Sequence, residues 1–176
     1  TAPFAPVANA VSRSLPIRWL MDKTIGIDQN RPIPPVVRNT FEKWFSSKQQ
    51  PPPGDSTQSP RGRIILFHDT FTNFNYPNVG IAATRLLENL GYRVIALPKR
   101  RCCGRPMISK GLLDRAANNA RHNIELLYPF VKQGIIVAGC ESSCVMTIKD
   151  EWPDLLMGDK RAQEVADSTL MVEEVL

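Results

Sequence analysis

Two adjacent cysteines are the residues of this sequence with the clearest chemical potential. Cys102 and Cys103 precede Gly104, and the basic run Lys99-Arg100-Arg101 comes just before them. A thiolate binds iron or zinc only after losing its proton, and nearby positive charge favours that state. Gly104 would let the backbone adopt a positive φ or approach a bulky cluster. The pair therefore predicts a metal or redox site, with two small buried residues in a turn as the structural alternative.

Two other loops carry potential ligands. Asp69 follows the apolar run 64–67, and Glu141 and Cys144 follow the apolar run 135–138. In an open parallel sheet, ligands bind beyond the carboxyl ends of the strands, so loops that leave those ends converge. We therefore predict one metal or iron–sulfur site. Its ligands would be Asp69, Cys102, Cys103, Glu141 and Cys144.

The spacing of apolar residues predicts the elements that must position these loops. Three apolar runs have the length of strands: 64–67, 92–97 and 135–138. Four stretches are expected to be helical: 79–90, 110–132, 146–156 and 160–176. Alternation of strands and helices implies a parallel sheet. The predicted fold class is α/β, a three-layer arrangement with the parallel sheet flanked by helices.

The first 60 residues differ in composition from the rest. Residues 1–46 combine a possible helix at 14–27 with the proline-rich stretch 31–35, which must be extended. We interpret residues 1–46 as an extended and helical packing arm and residues 47–60, rich in Pro, Ser and Gln, as a linker. Residues 61–176 would form the α/β module. Because the chain starts without Met and stops inside an apparent helix, we expect a fragment of a longer protein.

Composition and motifs argue against several classes of partner and location. The net charge is +5 and the basic residues are scattered, so we expect no nucleic-acid partner. No stretch approaches the roughly 20 apolar residues of a transmembrane segment, and no secretory signal is present. Adjacent cysteines rarely pair with each other, which favours a reducing, cytoplasmic location, either free or peripheral to the inner membrane. No glycine-rich dinucleotide motif is present, so we expect no flavin or nicotinamide on this fragment.

The cysteine loops carry motifs that resemble a known family. This is the cysteine-rich CCG domain of heterodisulfide reductase subunits and of the iron–sulfur parts of glycolate and D-lactate oxidoreductases. The similarity covers roughly residues 62–157 and is closest to the C-terminal part of fused FAD-linked D-2-hydroxy-acid oxidoreductases. Residues 26–28 and 31–35 resemble the segment that precedes the domain there. The stretches that carry the resemblance are 69–73, 102–106, 108–111, 141–144 and 149–151.

The resemblance also implies a ligand set, from which this chain departs. Asp69 and Glu141 stand where the family has cysteines, and Cys140 has no counterpart, so we interpret it as a small buried residue. Carboxylates favour a single Fe, Zn or Mn ion over a sulfide-rich cluster. The resemblance therefore implies an iron–sulfur cluster or a single transition metal here, with FAD and a [4Fe-4S] cluster on other parts of the protein. It also implies a second Cys-Cys-Gly module beyond this one.

Three functions follow as hypotheses. The leading one is an electron-transfer module of an FAD-linked D-2-hydroxy-acid dehydrogenase, not catalytic alone. Its partners would be flavin and ferredoxin-like domains of the same polypeptide and an electron acceptor. The alternative is a structural docking module with a structural zinc or vestigial cysteines. A third possibility is a thiol-redox enzyme that cycles Cys103 against Cys144.

Overall fold

The structure is a four-stranded parallel sheet between two layers of helices. It is a computed structural model that describes residues 4–48 and 61–176, so most of the predicted linker lies outside the described residues. The strand order is β2-β1-β3-β4 and every pairing is parallel. The predicted three-layer α/β class is thereby confirmed. The strands are β1 Arg63–Phe67, β2 Arg93–Ile95, β3 Ile136–Gly139 and β4 Thr169–Met171.

Helices precede the sheet and fill the connections between its strands. Among the described residues, none of them combines the length and apolar character needed to cross a membrane. The α-helices are α1 Ala5–Arg13, α2 Leu15–Ile25, α3 Phe41–Ser47, α4 Thr70–Phe74, α5 Pro77–Asn89, α6 Arg105–Ile108, α7 Leu113–Val131, α8 Ser142–Met146, α9 Trp152–Leu155 and α10 Lys160–Asp167. A π-helical turn spans Thr147–Glu151 and a 3-10 helix spans Val172–Val175.

Strand β1 is the centre of the core because both of its faces are covered. Ile64 and Leu66 pack on one face, with α3, α5 and the end of the chain. Ile65 and Phe67 point to the other face, where α7, α9 and α10 cover them. Successive side chains of a strand point to opposite faces, so a continuous apolar run suits a strand buried on both sides.

The arm contributes to this core through α3. Phe41 is fully buried on the β1 face that carries Ile64 and Leu66. The preceding extended segment is held by backbone hydrogen bonding, in which the Val37 N–H donates to the Phe74 carbonyl at 2.8 Å. Part of the predicted arm therefore forms one layer of the fold. Whether residues 1–46 are a separate unit stays a prediction.

The prediction of one helix over 160–176 was wrong. Helix α10 ends at Asp167, and the next residues form β4, which pairs with β3 through Val137↔Thr169 and Gly139↔Met171. The buried Thr169 hydroxyl donates to the Val165 carbonyl at 2.6 Å and ends the helix locally. Pairing satisfies backbone groups along the edge of β3, and that gain comes from a neighbour that helical spacing does not reveal.

Candidate functional site

The site lies at the carboxyl end of the sheet, where the chain changes direction. Strands β1 and β3 are neighbours and end together, with Phe67 paired to Gly139. The connection after β1 leads to β2 on one side, whereas β3 lies on the other side, so the loops after β1 and β3 diverge and open a crevice. A cavity of about 360 Å³ occupies this position. Its lining includes all five predicted site residues: Asp69, Cys102, Cys103, Glu141 and Cys144.

Asp69 begins the first loop and caps the helix that follows it. Its carboxylate accepts hydrogen bonds from the backbone N–H groups of Phe71 at 2.7 Å and Thr72 at 3.0 Å, and from the Thr72 hydroxyl. The side chain is only 4% exposed. An N-cap carboxylate satisfies otherwise unpaired N–H groups and interacts favourably with the helix dipole. The structure therefore gives Asp69 a local role, and its predicted role as a metal ligand stays a prediction.

Glu141 has the same position at the end of β3. Its Oε1 accepts hydrogen bonds from the Ser143 N–H at 3.3 Å and the Ser143 hydroxyl at 2.8 Å, so it caps α8. Gly139 lets α8 approach the strand, because a Cβ there would lie 2.6 Å from Val145 Cγ2. Asp69 and Glu141, which the resemblance sets against cysteines, are thus both helix N-caps.

Helix α7 and Trp152 contact the turn that carries the cysteine pair and hold its backbone. Gly104 has φ +105°, a conformation that suits glycine, and it begins α6. The buried Asn123 side chain accepts from the Arg101 N–H at 2.7 Å and donates to the Arg101 carbonyl at 3.0 Å. The Trp152 indole N–H donates to the Cys103 carbonyl at 2.8 Å. These contacts hold the backbone of the turn in place on both sides of Cys102.

The sulfur atoms of Cys103 and Cys144 are in contact. Cys103, 2% exposed, donates to Cys144 with an Sγ–Sγ distance of 3.1 Å, and both thiols are free. Hydrogen bonding to Cys103 and then burial raise the pKa of Cys102. The Cys102 thiol lowers the pKa of Cys103, but the hydrogen bond to Cys144 and burial outweigh it and raise that pKa to about 11.

The sequence suggested that the basic run would lower the pKa values of the thiols. In the structure, its effect on them is outweighed. Arg100 lowers the pKa of Cys102, but it contributes less than the neighbouring thiol and burial, which act in the opposite direction. Without a bound metal, Cys102 and Cys103 are protonated near pH 7. A metal would have to displace their protons on binding.

The residues next to the predicted ligands differ in where they lie. Arg105 lines the cavity and pairs with Glu151. His68 is buried away from the cavity lining, and its Nε2 lies 2.9 Å from Glu42 Oε1 on the arm. Cys140 packs on the opposite face of the sheet, where burial raises its pKa to about 11.

Sequence reasoning missed two residues that position the site. Asn123 and Trp152 were assigned no part in it, although both hydrogen-bond to the turn with the cysteine pair. Asn123 carried a usable signal, because it is a polar residue on the apolar face of a predicted helix and buried polar groups need partners. Trp152 carried none, since any large buried residue would fit the same pattern.

The side chains around the cavity fit part of the metal centre that the cysteine pattern implies. Cys102, Cys103 and Cys144 offer sulfur, which suits iron or zinc. The Asp69 carboxylate is engaged by α4 on both oxygens. Across residues 4–48 and 61–176, no three His, Cys, Asp or Glu side chains are arranged to hold a metal ion. The described residues therefore present sulfur donors for part of a centre rather than a closed four-ligand site.

Comparison with known proteins gives a family and several relatives. Residues 65–149 match the model of CCG, a cysteine-rich domain. One subunit of the anaerobic glycerol-3-phosphate dehydrogenase of Escherichia coli (strain K12) is 33% identical over 162 residues, which are 92% of this chain and 40% of that protein. Lactate utilization protein A of Macrococcus caseolyticus is 31% identical over 118 residues, 65% of this chain and 46% of that protein.

A third relative is a subunit of another enzyme. One subunit of the fumarate reductase (CoM/CoB) of Methanothermobacter marburgensis is 31% identical over 96 residues, 54% of this chain and 19% of that protein. The chain thus spans less than half the length of each of these relatives. No solved structure matches the chain.

Proposed function

Residues 65–149 belong to the CCG family of cysteine-rich domains, and on that premise we propose that the chain is the electron-transfer module of an FAD-linked D-2-hydroxy-acid dehydrogenase. The names of the relatives support a dehydrogenase, since one belongs to a glycerol-3-phosphate dehydrogenase and another is a lactate utilization protein. Flavin and ferredoxin-like domains of the same polypeptide would deliver the electrons. This module would pass them to an acceptor, and would not be catalytic alone.

One observation carries the proposal. The residues Cys102, Cys103 and Cys144 come from two different loops and line one cavity. That cavity lies at the carboxyl end of the parallel sheet, where the loops after β1 and β3 diverge. The 3.1 Å Sγ–Sγ contact brings the two loops together at their sulfur atoms. Packing alone would not require three thiols in one crevice, because other small residues would fill the same space.

The residues of this chain have distinct parts in the proposed centre. Cys102, Cys103 and Cys144 would hold an iron–sulfur cluster or a single Fe, Zn or Mn ion, and a bound iron centre would supply one-electron chemistry. Asp69 and Glu141 hold the N-termini of α4 and α8, which fixes the loops around the thiols. The remaining ligands would come from another module of the full-length protein, since the described residues offer no closed set.

The test is the metal content of the full-length protein purified without oxygen. Iron and acid-labile sulfide would be quantified and the electron paramagnetic resonance spectrum recorded. We expect Cys103→Ser to lose most of the bound iron. Cys140→Ser is the matched control, because that thiol lies on the opposite face of the sheet and should leave iron unchanged. A wild-type protein without transition metal, together with a fully active Cys103→Ser variant, would exclude the proposal.

The same contact favours a second candidate, a dithiol–disulfide pair. Cys103 and Cys144 would reduce a small-molecule disulfide, forming one S–S bond between them and leaving two small-molecule thiols. A mixed disulfide at the half-buried Cys144 would come first, and Cys103 would then displace the small thiol. Oxidised glutathione added to metal-free full-length protein should lower its mass by about 2 Da, as two hydrogens leave on bridging. A persistent glutathione adduct without the bridge would rule this candidate out.

A further inference from the structure

Arg100 is a cation enclosed beside the thiol loops. It is half-buried, and its Nε is fully buried without a hydrogen-bond partner in the described part of the chain. The guanidinium lies over the ring of Phe67 at 5.4 Å from the centroid. None of the ion pairs formed by the described residues includes Arg100. Its charge is thus held in place without a carboxylate in contact.

The backbone around Arg100 explains its inward direction. Lys99 has φ +64°, an unusual conformation for a residue with a side chain, and its carbonyl lies 2.9 Å from His122 Nε2. The following peptide is fixed by Asn123, which bonds both the N–H and the carbonyl of Arg101. Arg101 is consequently exposed while Arg100 turns towards the strand ends.

Negatively charged or ionisable groups surround this cation, but other contacts occupy them. Burial lowers the pKa of Arg100, and Glu42, Asp69, Cys144 and then Cys102 oppose that effect. Glu42 bonds His68, and Asp69 bonds the N-terminus of α4. Burial, and to a lesser extent Arg100, lowers the pKa of His68, so that imidazole is neutral near pH 7. Among the described residues, Arg100 is therefore a partly enclosed positive charge at this end of the sheet that no carboxylate contacts.

We infer that Arg100 maintains a positive electrostatic potential at the thiol cavity, which favours anionic reactants and the reduced, more negative state of the centre. The preference for the reduced state rests on the proposed function, since it matters only if the thiols carry electrons. The positive potential at the cavity does not rest on the proposed function, and it can be measured on the metal-free protein. Arg100 lies outside the lining of the thiol cavity, in a neighbouring pocket with Phe67 and Asn123, so it acts on the cavity through its charge and touches no reacting atom.

The experiment compares an anionic with a neutral alkylating reagent at Cys144 of the metal-free full-length protein. The ratio of the iodoacetate rate to the iodoacetamide rate reports the local potential, because the thiolate fraction cancels. Peptide mass spectrometry would follow Cys144, with Cys140 as an internal reference. We expect the ratio to fall at least threefold in Arg100→Gln and to be retained in Arg100→Lys. Arg101→Gln, which removes the neighbouring exposed charge, should leave it unchanged.

A second measurement needs no variant. Salt screens exposed charges within about 10 Å at 0.1 M but screens buried ones much less. The wild-type ratio should therefore persist at high ionic strength, and its collapse there would overturn the inference. A folded Arg100→Gln protein with an unchanged rate ratio would also overturn the inference. An equal fall of the rate ratio in Arg101→Gln would do the same. If instead the full-length protein lacks metal while the ratio behaves as expected, the proposed function fails and the electrostatic role of Arg100 stands.

Discussion

The Trp152 indole N–H donates to the Cys103 carbonyl at 2.8 Å, although 49 residues separate them in the chain. Both residues are buried, and Trp152 also contacts Phe67 edge-on, with ring centroids 6.4 Å apart. The loop after β2 is thereby tied to the helix after β3. Trp152 therefore fixes the loop with the cysteine pair against the helical segment that follows the Cys144 loop.

Trp152→Phe should destabilise the protein, because it leaves the buried Cys103 carbonyl without its donor. An unsatisfied buried group costs about 1–3 kcal/mol, and we expect a loss of this size in the free energy of unfolding measured with urea. Trp19→Phe is the matched control, since Trp19 is 54% exposed and should change stability by less than about 0.5 kcal/mol. Equal losses in both variants would argue against the role given to this hydrogen bond.

Asp69 can be tested as a cap and as a ligand with two variants. Asp69→Ala removes the cap of α4 and should cost about 0.5–2 kcal/mol, whereas Asp69→Asn keeps an acceptor oxygen and should cost far less. We also expect Asp69→Asn to leave the iron content of the full-length protein unchanged, because the helix engages both carboxylate oxygens. Loss of iron at unchanged stability would instead identify Asp69 as a metal ligand.

Glu141→Cys should strengthen metal binding. It places a thiol three residues before Cys144, in the lining of the same cavity, and sulfur is a donor that zinc uses in structural sites. We expect zinc affinity of the metal-free full-length protein, measured by chelator competition, to rise by about tenfold, which is about 1.4 kcal/mol. Ser142→Cys adds a thiol outside the cavity lining and is the control. A similar gain from both would point to non-specific thiol binding.

Phe41→Ala tests whether α3 belongs to the folded core. Phe41 is fully buried against β1, and truncation of a buried phenylalanine typically costs about 3–5 kcal/mol. The expected result is a loss of that size in urea unfolding. Phe4→Ala serves as the control because Phe4 is 71% exposed. Should Phe41→Ala unfold like the wild type, the packing of α3 would contribute little to stability.

The sequence by itself determined the architecture and the composition of the cavity. The runs before Asp69 and Glu141 are apolar over the length of a strand, which requires burial on both faces and hence a sheet between helices. Parallel strands place the loops at their carboxyl ends along one edge. From that rule alone Asp69, Cys103 and Cys144 were expected together, and all three line one cavity.

Only the tertiary structure decided what these residues contact. Hydrogen-bond partners distant in sequence leave no periodic signal, so the link from Trp152 to Cys103 could not be foreseen. The pairing of β4 with β3 overrode the helical spacing after Asp167, since an edge strand gains hydrogen bonds from its neighbour. The direction of the thiol pKa shifts also depends on burial and on the Sγ–Sγ contact, both of which exist only once the loops have come together.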